Sequence, residues 1–335
     1  MGIKEQVLLL LENKKGNFFS GQEIADRLLV TRASIWKAVK SLQKEGYAIE
    51  AVTNKGYALK RSPDLLSAAY IEQELRLKGV NLKVKVEKMV DSTNNVLKQY
   101  IAGGEKEDMV LLAEEQSAGR GRRGRSFYSP QGTGLYMSLL LHPDATAEEG
   151  TVLTTLTAVA AAKAVEKVSG EETSIKWVND VWLRGKKISG ILTEGSTSLE
   201  DGKLEYVIVG IGINIYEPAG GFPEELKDVA GAVFTSHIQK ENMRNRLAAE
   251  FINNFMEYYH MLPSANYLEE YRKRCFVIGK KVQIIAPSGE PYKAEEGLDR
   301  TNATVLGIDD ACHLQVQYTD GTVEFLSGGE ISIRI

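Results

Sequence analysis

Apolar residues in the first sixty positions recur at helical spacing in three short runs. Ile3, Val7, Leu10 and Leu11 mark the first. Ser20 with Glu23 forms a capping box that opens the second, which ends near Leu28. Thr31 caps a third helix whose apolar face is Ile35, Ala38, Val39 and Leu42, and whose opposite face carries Arg32, Trp36, Lys37, Lys40 and Lys44. Two β-prone runs, 47–52 and 56–60, flank the turn Thr53-Asn54-Lys55. Helix, helix, basic helix and β-wing predict a winged helix-turn-helix, with the third helix in the major groove and cations on the phosphates. Gln22, Thr31, Arg32, Ser34, Trp36, Lys37, Lys40, Lys44 and Lys55 are the residues expected at DNA. A solvated basic helix in a small interaction domain is the plainer alternative.

Ser62-Pro63-Asp64 reads as a linker. Ser67 then opens a helix to about Leu77, and Val80, Leu82, Val84 and Val86 alternate as a half-buried strand. Asp91-Ser92-Thr93-Asn94 starts a helix to about Ile101. Residues 109–113 and 135–141 read as strands, and 151–168 as an alanine-rich buried helix. Strands at 174–178, 181–183, 188–194 and 204–213 follow in quick succession. The turn Arg184-Gly185-Lys186 is too short for a crossover helix, so this sheet is expected to be mostly antiparallel. Helical patterns cover 239–261 and 265–274. Short strands at 281–285, 304–308, 314–318 and 322–326 then predict a small SH3-like barrel. The pattern as a whole is multi-domain α+β: a DNA-binding head at 1–62, a central mixed sheet with helices at 63–276 and a barrel at 277–335.

Composition narrows the class. The chain has 335 residues, 43% hydrophobic and 26% charged, as in an ordinary globular protein with more than one core. No apolar run approaches the roughly 18–20 residues that span a bilayer, and Glu12 interrupts the stretch a signal peptide would need. A cytoplasmic protein without a membrane partner is expected. Cys275 and Cys312 have no second pair, so neither a disulfide framework nor a zinc site is indicated. The net charge of −4 hides an asymmetry: residues 1–61 hold 11 Lys and Arg against 6 Asp and Glu, and the rest holds 30 against 39. A basic head on an acidic body fits an anionic partner for the head.

The densest charge lies elsewhere. Gly119-Arg120-Gly121-Arg122-Arg123-Gly124 spells G-x-G-x-x-G after a strand, but a loop with Pro130, Gly132 and Gly134 follows where a dinucleotide site needs a helix. Glycines that let backbone approach a ligand, together with Arg120, Arg122, Arg123 and Arg125, suit carboxylate and phosphate oxygens. Such a loop is expected to be mobile until an anion closes it. By itself it fits equally a flexible surface loop or a second nucleic-acid contact. Three further elements accompany it: Asn179-Asp180 after a strand, able to hold hydrated Mg²⁺ or ribose hydroxyls; Lys187 on the returning strand; and Gly210 and Gly212, which leave one strand face bare for a flat ligand.

Asp91-Ser92-Thr93-Asn94, Glu115-Gln116-Ser117-Ala118-Gly119-Arg120-Gly121-Arg122, Lys176-Trp177-Val178-Asn179-Asp180, Lys187-Ile188-Ser189-Gly190-Ile191-Leu192 and Gly210-Ile211-Gly212-Ile213-Asn214 resemble, in order, the motif set of biotin–protein ligases. With the head in front, the chain resembles the bifunctional bacterial form that also represses biotin genes, and Gly328 to Arg334 resembles the end of that family's C-terminal domain. Two positions depart from the family pattern: Val178 stands where Pro is usual, and Phe127 where Trp is frequent.

The resemblance implies a class II synthetase-like catalytic domain. It implies formation of biotinoyl-5′-AMP from biotin and ATP with Mg²⁺, then transfer to a lysine of the carboxyl-carrier domain of acetyl-CoA carboxylase or pyruvate carboxylase. By correspondence Ser92, Thr93, Asn94, Gln116, Gly119, Arg120, Gly121, Arg122, Lys187, Gly210 and Gly212 would bind biotin. Arg122, Arg123, Phe127, Asn179, Asn214 and Arg334 would bind ATP. Arg120, Asp180 and Lys187 would be catalytic, with Asp180 at the metal. Operator DNA and an adenylate-bound homodimer are the remaining implied partners. A regulator with a degenerate ligand-sensing body, and a ligase for lipoate or another acyl acid, are the competing readings.

Overall fold

The computed structural model describes residues 2–76, 82–146, 150–198, 202–236, 239–262, 266–285, 301–327 and 332–334. The head consists of α1 (Ile3–Asn13), α2 (Gly21–Leu28) and α3 (Arg32–Lys44), followed by the antiparallel hairpin β1 (Ala48–Val52) and β2 (Gly56–Arg61). Both caps form as read: Glu23 N–H donates to Ser20 Oγ at 3.0 Å, and Ser34 N–H to Thr31 Oγ1 at 3.2 Å. Ile35, Ala38, Val39 and Leu42 point inward onto Val7, Leu11 and Ile24, and Leu59 of the hairpin closes that core. Gly56 turns the hairpin with φ +100°, where a side chain would strike the Phe19 carbonyl.

The central sheet has seven strands in the order β3-β4-β5-β9-β8-β7-β6. They are β3 (Lys83–Glu87), β4 (Met109–Ala113), β5 (Gly134–Leu141), β6 (Ser174–Lys176), β7 (Asp180–Leu183), β8 (Lys186–Thr197) and β9 (Leu204–Asn214). Only β3 and β4 run parallel; every other pair is antiparallel, as the short connections required. β5 is buried along its whole length because both faces are covered. On one face α5 (Thr93–Ala102) sets Leu97 against Met109, Leu111, Leu140 and Ile208. The large core on the other face is closed by α6 (Gly150–Ser169) and α7 (Met243–His260). Two short helices, α4 (Ala68–Glu74) and α8 (Tyr267–Arg274), complete the body.

Differences from the expected elements have local causes. α4 stops at Glu74 because Asn253 of α7 takes both ends of its final turn, accepting from Arg76 N–H at 2.7 Å and donating to Glu74 O at 3.1 Å; Leu77 and Val80 lie outside the described residues. α7 begins at Met243, preceded by Asn242 in the left-handed region. In the tail, β10 (Lys281–Ile285), β11 (Asn302–Ile308), β12 (Leu314–Tyr318) and β13 (Val323–Leu326) appear as read, joined by the unexpected β14 (Ser332–Arg334) beside β10. They form one antiparallel sheet in the order β13-β12-β11-β10-β14. Among the described residues no helix is long and apolar enough to cross a membrane.

The segment between β2 and α4, with the composition of a linker, is buried at Ser62 and Asp64. Arg244 of α7, fully buried, donates its backbone N–H to Asp64 Oδ1 and Nε to Asp64 O, both at 2.9 Å. Its Nη1 lies 2.7 Å from Glu114 Oε2, at ion-pair distance but without hydrogen-bond alignment. Glu114 Oε1 accepts from Leu66 N–H at 2.7 Å, and Tyr216 O–H donates to Asp64 Oδ2 at 2.8 Å. Burial pushes the Asp64 carboxyl above its ordinary range in spite of Arg244 beside it. Removing the cation strands two buried carboxylates. Arg244→Met is therefore expected to cost about 3–5 kcal/mol in urea unfolding; a loss below about 1 kcal/mol would show that water reaches these groups.

Candidate active site

One cavity of about 480 Å³ opens on the α5 side of the central sheet. Its floor follows from strand register. β8 and β9 pair so that Gly190 faces Gly212 and Leu192 faces Gly210, which leaves three of four neighbouring positions without side chains. The space is used by the protein itself. The Asn94 amide lies on Gly210 and the Phe127 ring on Gly212, each so close that a Cβ would collide with it.

Around Asn94 a neutral hydrogen-bonding cluster forms because α5 begins at the edge of β4. Gln116 Oε1 accepts from Thr93 N–H at 2.9 Å and from Thr93 O–H at 3.1 Å. Gln116 Nε2 donates to Ser129 Oγ at 3.0 Å, and Ser129 O–H donates to the Phe127 carbonyl at 2.9 Å. Ser138 Oγ of β5 lies 2.6 Å from both Thr93 Oγ1 and Asn94 Oδ1. Ser92, Thr93 and Asn94 are all buried.

The arginine loop lies over this floor. After Gly121 it makes a single 3₁₀ turn at Arg122–Gly124, with Arg123 at φ +57°, and no α-helix follows before β5, as the sequence indicated. Its guanidiniums diverge. Arg120 Nη1 reaches Asn95 Oδ1 at 3.0 Å and the two Glu194 oxygens at 3.2 and 3.4 Å. Arg122 Nη1 donates to Asn179 Oδ1 at 3.0 Å, and Arg123 Nη1 to Ile285 O of β10 at 3.4 Å. Burial, and then the charge of Arg123, lower the pKa of Arg122 without discharging it at neutral pH.

A second, charged cluster sits on β7 and β8. Lys187 Nζ and Asp180 Oδ1 are 2.6 Å apart, both half-buried. Asn179 Nδ2 donates to Ile191 O at 2.9 Å, which aims its carbonyl at Arg122. The peptide between Trp177 and Val178 is cis. Among the described residues, Asp180 is the one carboxylate lining the cavity, and no group of three or more acidic, His or Cys side chains could hold a metal. One carboxylate fits Mg²⁺ that arrives with nucleotide phosphates and keeps most of its water, not a cation caged by protein.

Ser92, Thr93, Asn94, Gln116, Arg120, Gly121, Arg122, Arg123, Phe127, Asn179, Asp180, Lys187, Gly210, Gly212 and Asn214 all line this cavity. Gly119 does not. It is buried within the loop, where a Cβ would meet Ser129 Oγ at 2.6 Å. Arg334 is described only through its backbone in β14. The nine residues expected at DNA lie on the head; Arg32, Trp36, Lys37, Lys40, Lys44 and Lys55 are exposed, while Thr31 caps α3.

A model of the Biotin/lipoate A/B protein ligase family matches residues 86–214, and an HTH domain model matches residues 4–58. The bifunctional ligase/repressor BirA of Bacillus subtilis is 37% identical over 228 residues, which are 68% of this chain and 70% of that protein. BirA of Escherichia coli is 30% identical over 334 residues, covering 98% of this chain and 96% of its own length. The chain belongs to the biotin protein ligase family. Among solved structures, the biotin protein ligase of Aquifex aeolicus in complex with biotin and ATP superposes with a TM-score of 0.58 at 25% identity, over 75% of this chain and 98% of that one.

Several lining residues of this ligase fold carried no readable signal. Phe222, Leu226, Val229 and Ala230 come from the irregular segment after β9. That segment is held along Lys187, whose N–H donates to Val229 O at 2.8 Å and whose carbonyl accepts from Gly231 N–H at 2.9 Å. Val229 is half exposed there. Trp182 also lines the cavity, with its indole N–H buried and without a hydrogen-bond partner among the described residues.

The contact of Phe127 with Gly212 is testable by a double-mutant cycle in urea. Gly212→Ala is expected to destabilise, and Phe127→Ala to remove most of that penalty, with a coupling of about 0.5–3 kcal/mol. Additive effects would show that the ring does not rest on Gly212.

Proposed function

We propose that the chain is an ATP-dependent biotin–protein ligase that forms biotinoyl-5′-AMP and passes biotin to a carrier-domain lysine. One observation carries this reading: a single cavity joins a neutral hydrogen-bonding cluster (Ser92, Thr93, Gln116) to a cationic one (Arg120, Arg122, Lys187) across a glycine floor. The neutral groups suit the biotin ring, and the cations suit its carboxylate and the α-phosphate. In the first step a carboxylate oxygen attacks the α-phosphorus and the bond to the pyrophosphate oxygen breaks. Two anions must meet, and fixed cations in a half-buried site offset their repulsion where it is greatest. Lys187 is held for that task by Asp180. Mg²⁺ bound with the nucleotide would add positive charge at the phosphates, with Asp180 and Asn179 as its protein contacts.

In the second step the acceptor amine attacks the acyl carbonyl and AMP leaves; Asp180 orients the amine. Phe127, Arg123 and Asn214 attend the nucleotide, and Arg334 is a weaker candidate there. The acceptors are carrier domains of acetyl-CoA carboxylase and pyruvate carboxylase. The head is a winged DNA-binding domain, residues 1–62, acting as a biotin-responsive repressor, and the adenylate favours a homodimer that spans a palindromic operator. The antiparallel pairing of the described tail strands supports an SH3-like barrel at 277–335 following a catalytic unit at 63–276. Two free, buried cysteines agree with a cytoplasmic protein.

Biotin-dependent exchange of pyrophosphate into ATP is the deciding assay. Lys187→Ala is expected to lower exchange by about 10²–10³-fold, the loss of one transition-state donor, with operator affinity of the ligand-free protein unchanged. Exchange driven by lipoate instead of biotin would reassign the substrate.

For the head, operator affinity should rise when biotin and ATP are added and fall steeply with salt. In a gel-shift series Lys37→Ala and Lys40→Ala should each reduce the log K against log salt slope by about 0.9. Equal affinity with and without biotin and ATP would remove the regulatory part of the reading.

A further inference from the structure

Glu194 is a charged group that the mechanism does not use. Glu194 stands on β8 opposite Ile208, two residues beyond the glycine floor and on the same face as Leu192. It does not line the cavity. Its Oε2 accepts from Asn94 Nδ2 at 2.8 Å, its Oε1 from Lys98 Nζ at 2.8 Å, and both oxygens face Arg120 Nη1. Partial burial alone would raise the pKa of this carboxyl. The hydrogen bonds from Lys98 and Asn94, with the charges of Lys98 and Arg120, reverse that and hold it below the usual range, so it is anionic at neutral pH.

Two consequences follow from these contacts. With an anion at its Nδ2, the Asn94 amide has one favourable orientation. Its Oδ1 then turns to Ser138, whose hydroxyl bridges to Thr93 and so to Gln116. A flipped amide would set its carbonyl oxygen against the carboxylate. The second consequence concerns Arg120. Glu194 and Asn95 occupy only Nη1, so Nε and Nη2 have no partner among the described residues. One edge of the guanidinium is pinned, and the other is free for a two-point contact with an anion.

We propose that Glu194 is a positioning residue for the ligase site: it orients the acceptors and donors of the neutral cluster through Asn94 and holds Arg120 ready for the acid's carboxylate before ligand arrives. This rests on the biotin ligase reading of the cavity. A purely structural role is the competing explanation, in which Glu194 ties α5 to the sheet through Lys98. The two are separable because Lys98 bonds to Oε1 and Asn94 to Oε2, so each contact can be removed without the other.

The test compares wild type, Glu194→Gln and Lys98→Met in pyrophosphate exchange and in limited trypsin digestion of the ligand-free protein. For Glu194→Gln, the KM for biotin is expected to rise about tenfold, the loss of one charge-assisted contact, while the KM for ATP stays within twofold. Tryptic cleavage after Arg120, Arg122 and Arg123 should be severalfold faster, since the loop has lost its anchor on the sheet. Lys98→Met, assayed in mildly alkaline buffer so that the carboxylate stays ionised without its lysine, should resemble wild type in both measurements. If Lys98→Met matches Glu194→Gln, the role is structural and the proposal fails. It fails also if Glu194→Gln leaves the biotin KM and the cleavage rate unchanged. Absence of biotin-dependent exchange in wild type would overturn the ligase reading itself, while the digestion would still report whether Glu194 anchors the loop.

Discussion

The register of β8 against β9 is the constraint from which the site follows. A β-strand shows alternate residues to opposite faces, so a slip of β9 by one position would turn Gly210 and Gly212 toward α6 and put Ile211 and Ile213 in the cavity. In the observed register those isoleucines belong to the large core. On the other side of β8, its pairing with β7 brings Lys187 beside Asp180, and Glu194 of β8 meets Asn94 of α5. Burial of one face thus decides the chemistry of the other. Core packing holds the register, and the register leaves a bare strip on which Asn94 and Phe127 come to rest.

Charge is distributed on this frame by separating like from like. Four arginines in seven residues repel if they converge. Here Arg120 turns to Glu194 on the central sheet, Arg122 to Asn179 at the cavity wall and Arg123 to the carbonyl of Ile285 on the tail sheet. One loop therefore touches three separate structural elements through three side chains. Arg122 and Arg123 meet neutral oxygens there, whereas Arg120 is held by a carboxylate on one edge of its guanidinium. Arg244 shows the opposite regime. Wholly buried between Asp64 and Glu114, it cannot exchange partners without leaving a charge stranded.

Legibility in the sequence tracked how local the cause was. Helix caps, apolar periodicity and short turns act over a few residues, and with them the head, the antiparallel body and most strand limits were readable. The motif glycines and arginines pointed to the site through their order along the chain, since each element alone admits a plainer explanation. What escaped was set by partners far along the chain. Asp64 looked like part of a linker because its partner lies 180 residues away. α4 ended early for the same reason, at Asn253. The apolar wall at Phe222 and Val229 has no periodicity, since its place is fixed by backbone bonds to Lys187. Gly119 shares a motif with cavity-lining neighbours but serves the folding of the loop onto Ser129, a distinction that spacing does not encode.

These long-range contacts also define the route between cavity and head. β9 carries Gly210, Gly212 and Asn214 and leads within two residues to Tyr216, whose hydroxyl donates to Asp64 just past the hairpin of the head. Asp64 is bound in turn to Arg244 at the start of α7, and on the same flank Glu241 meets Lys15 and the backbone of Ser62, while Asn242 donates to Glu12. The head is therefore seated on the body through a compact group of polar contacts gathered where the floor strand ends and α7 begins. A ligand shifts a distant equilibrium only by the difference in its affinity for two states. Within one chain, these contacts are where the floor strand and the joint between head and body meet. The stiffness of the Arg244 cluster then matters in a second way. A joint that resists loosening keeps the head in register with the end of β9.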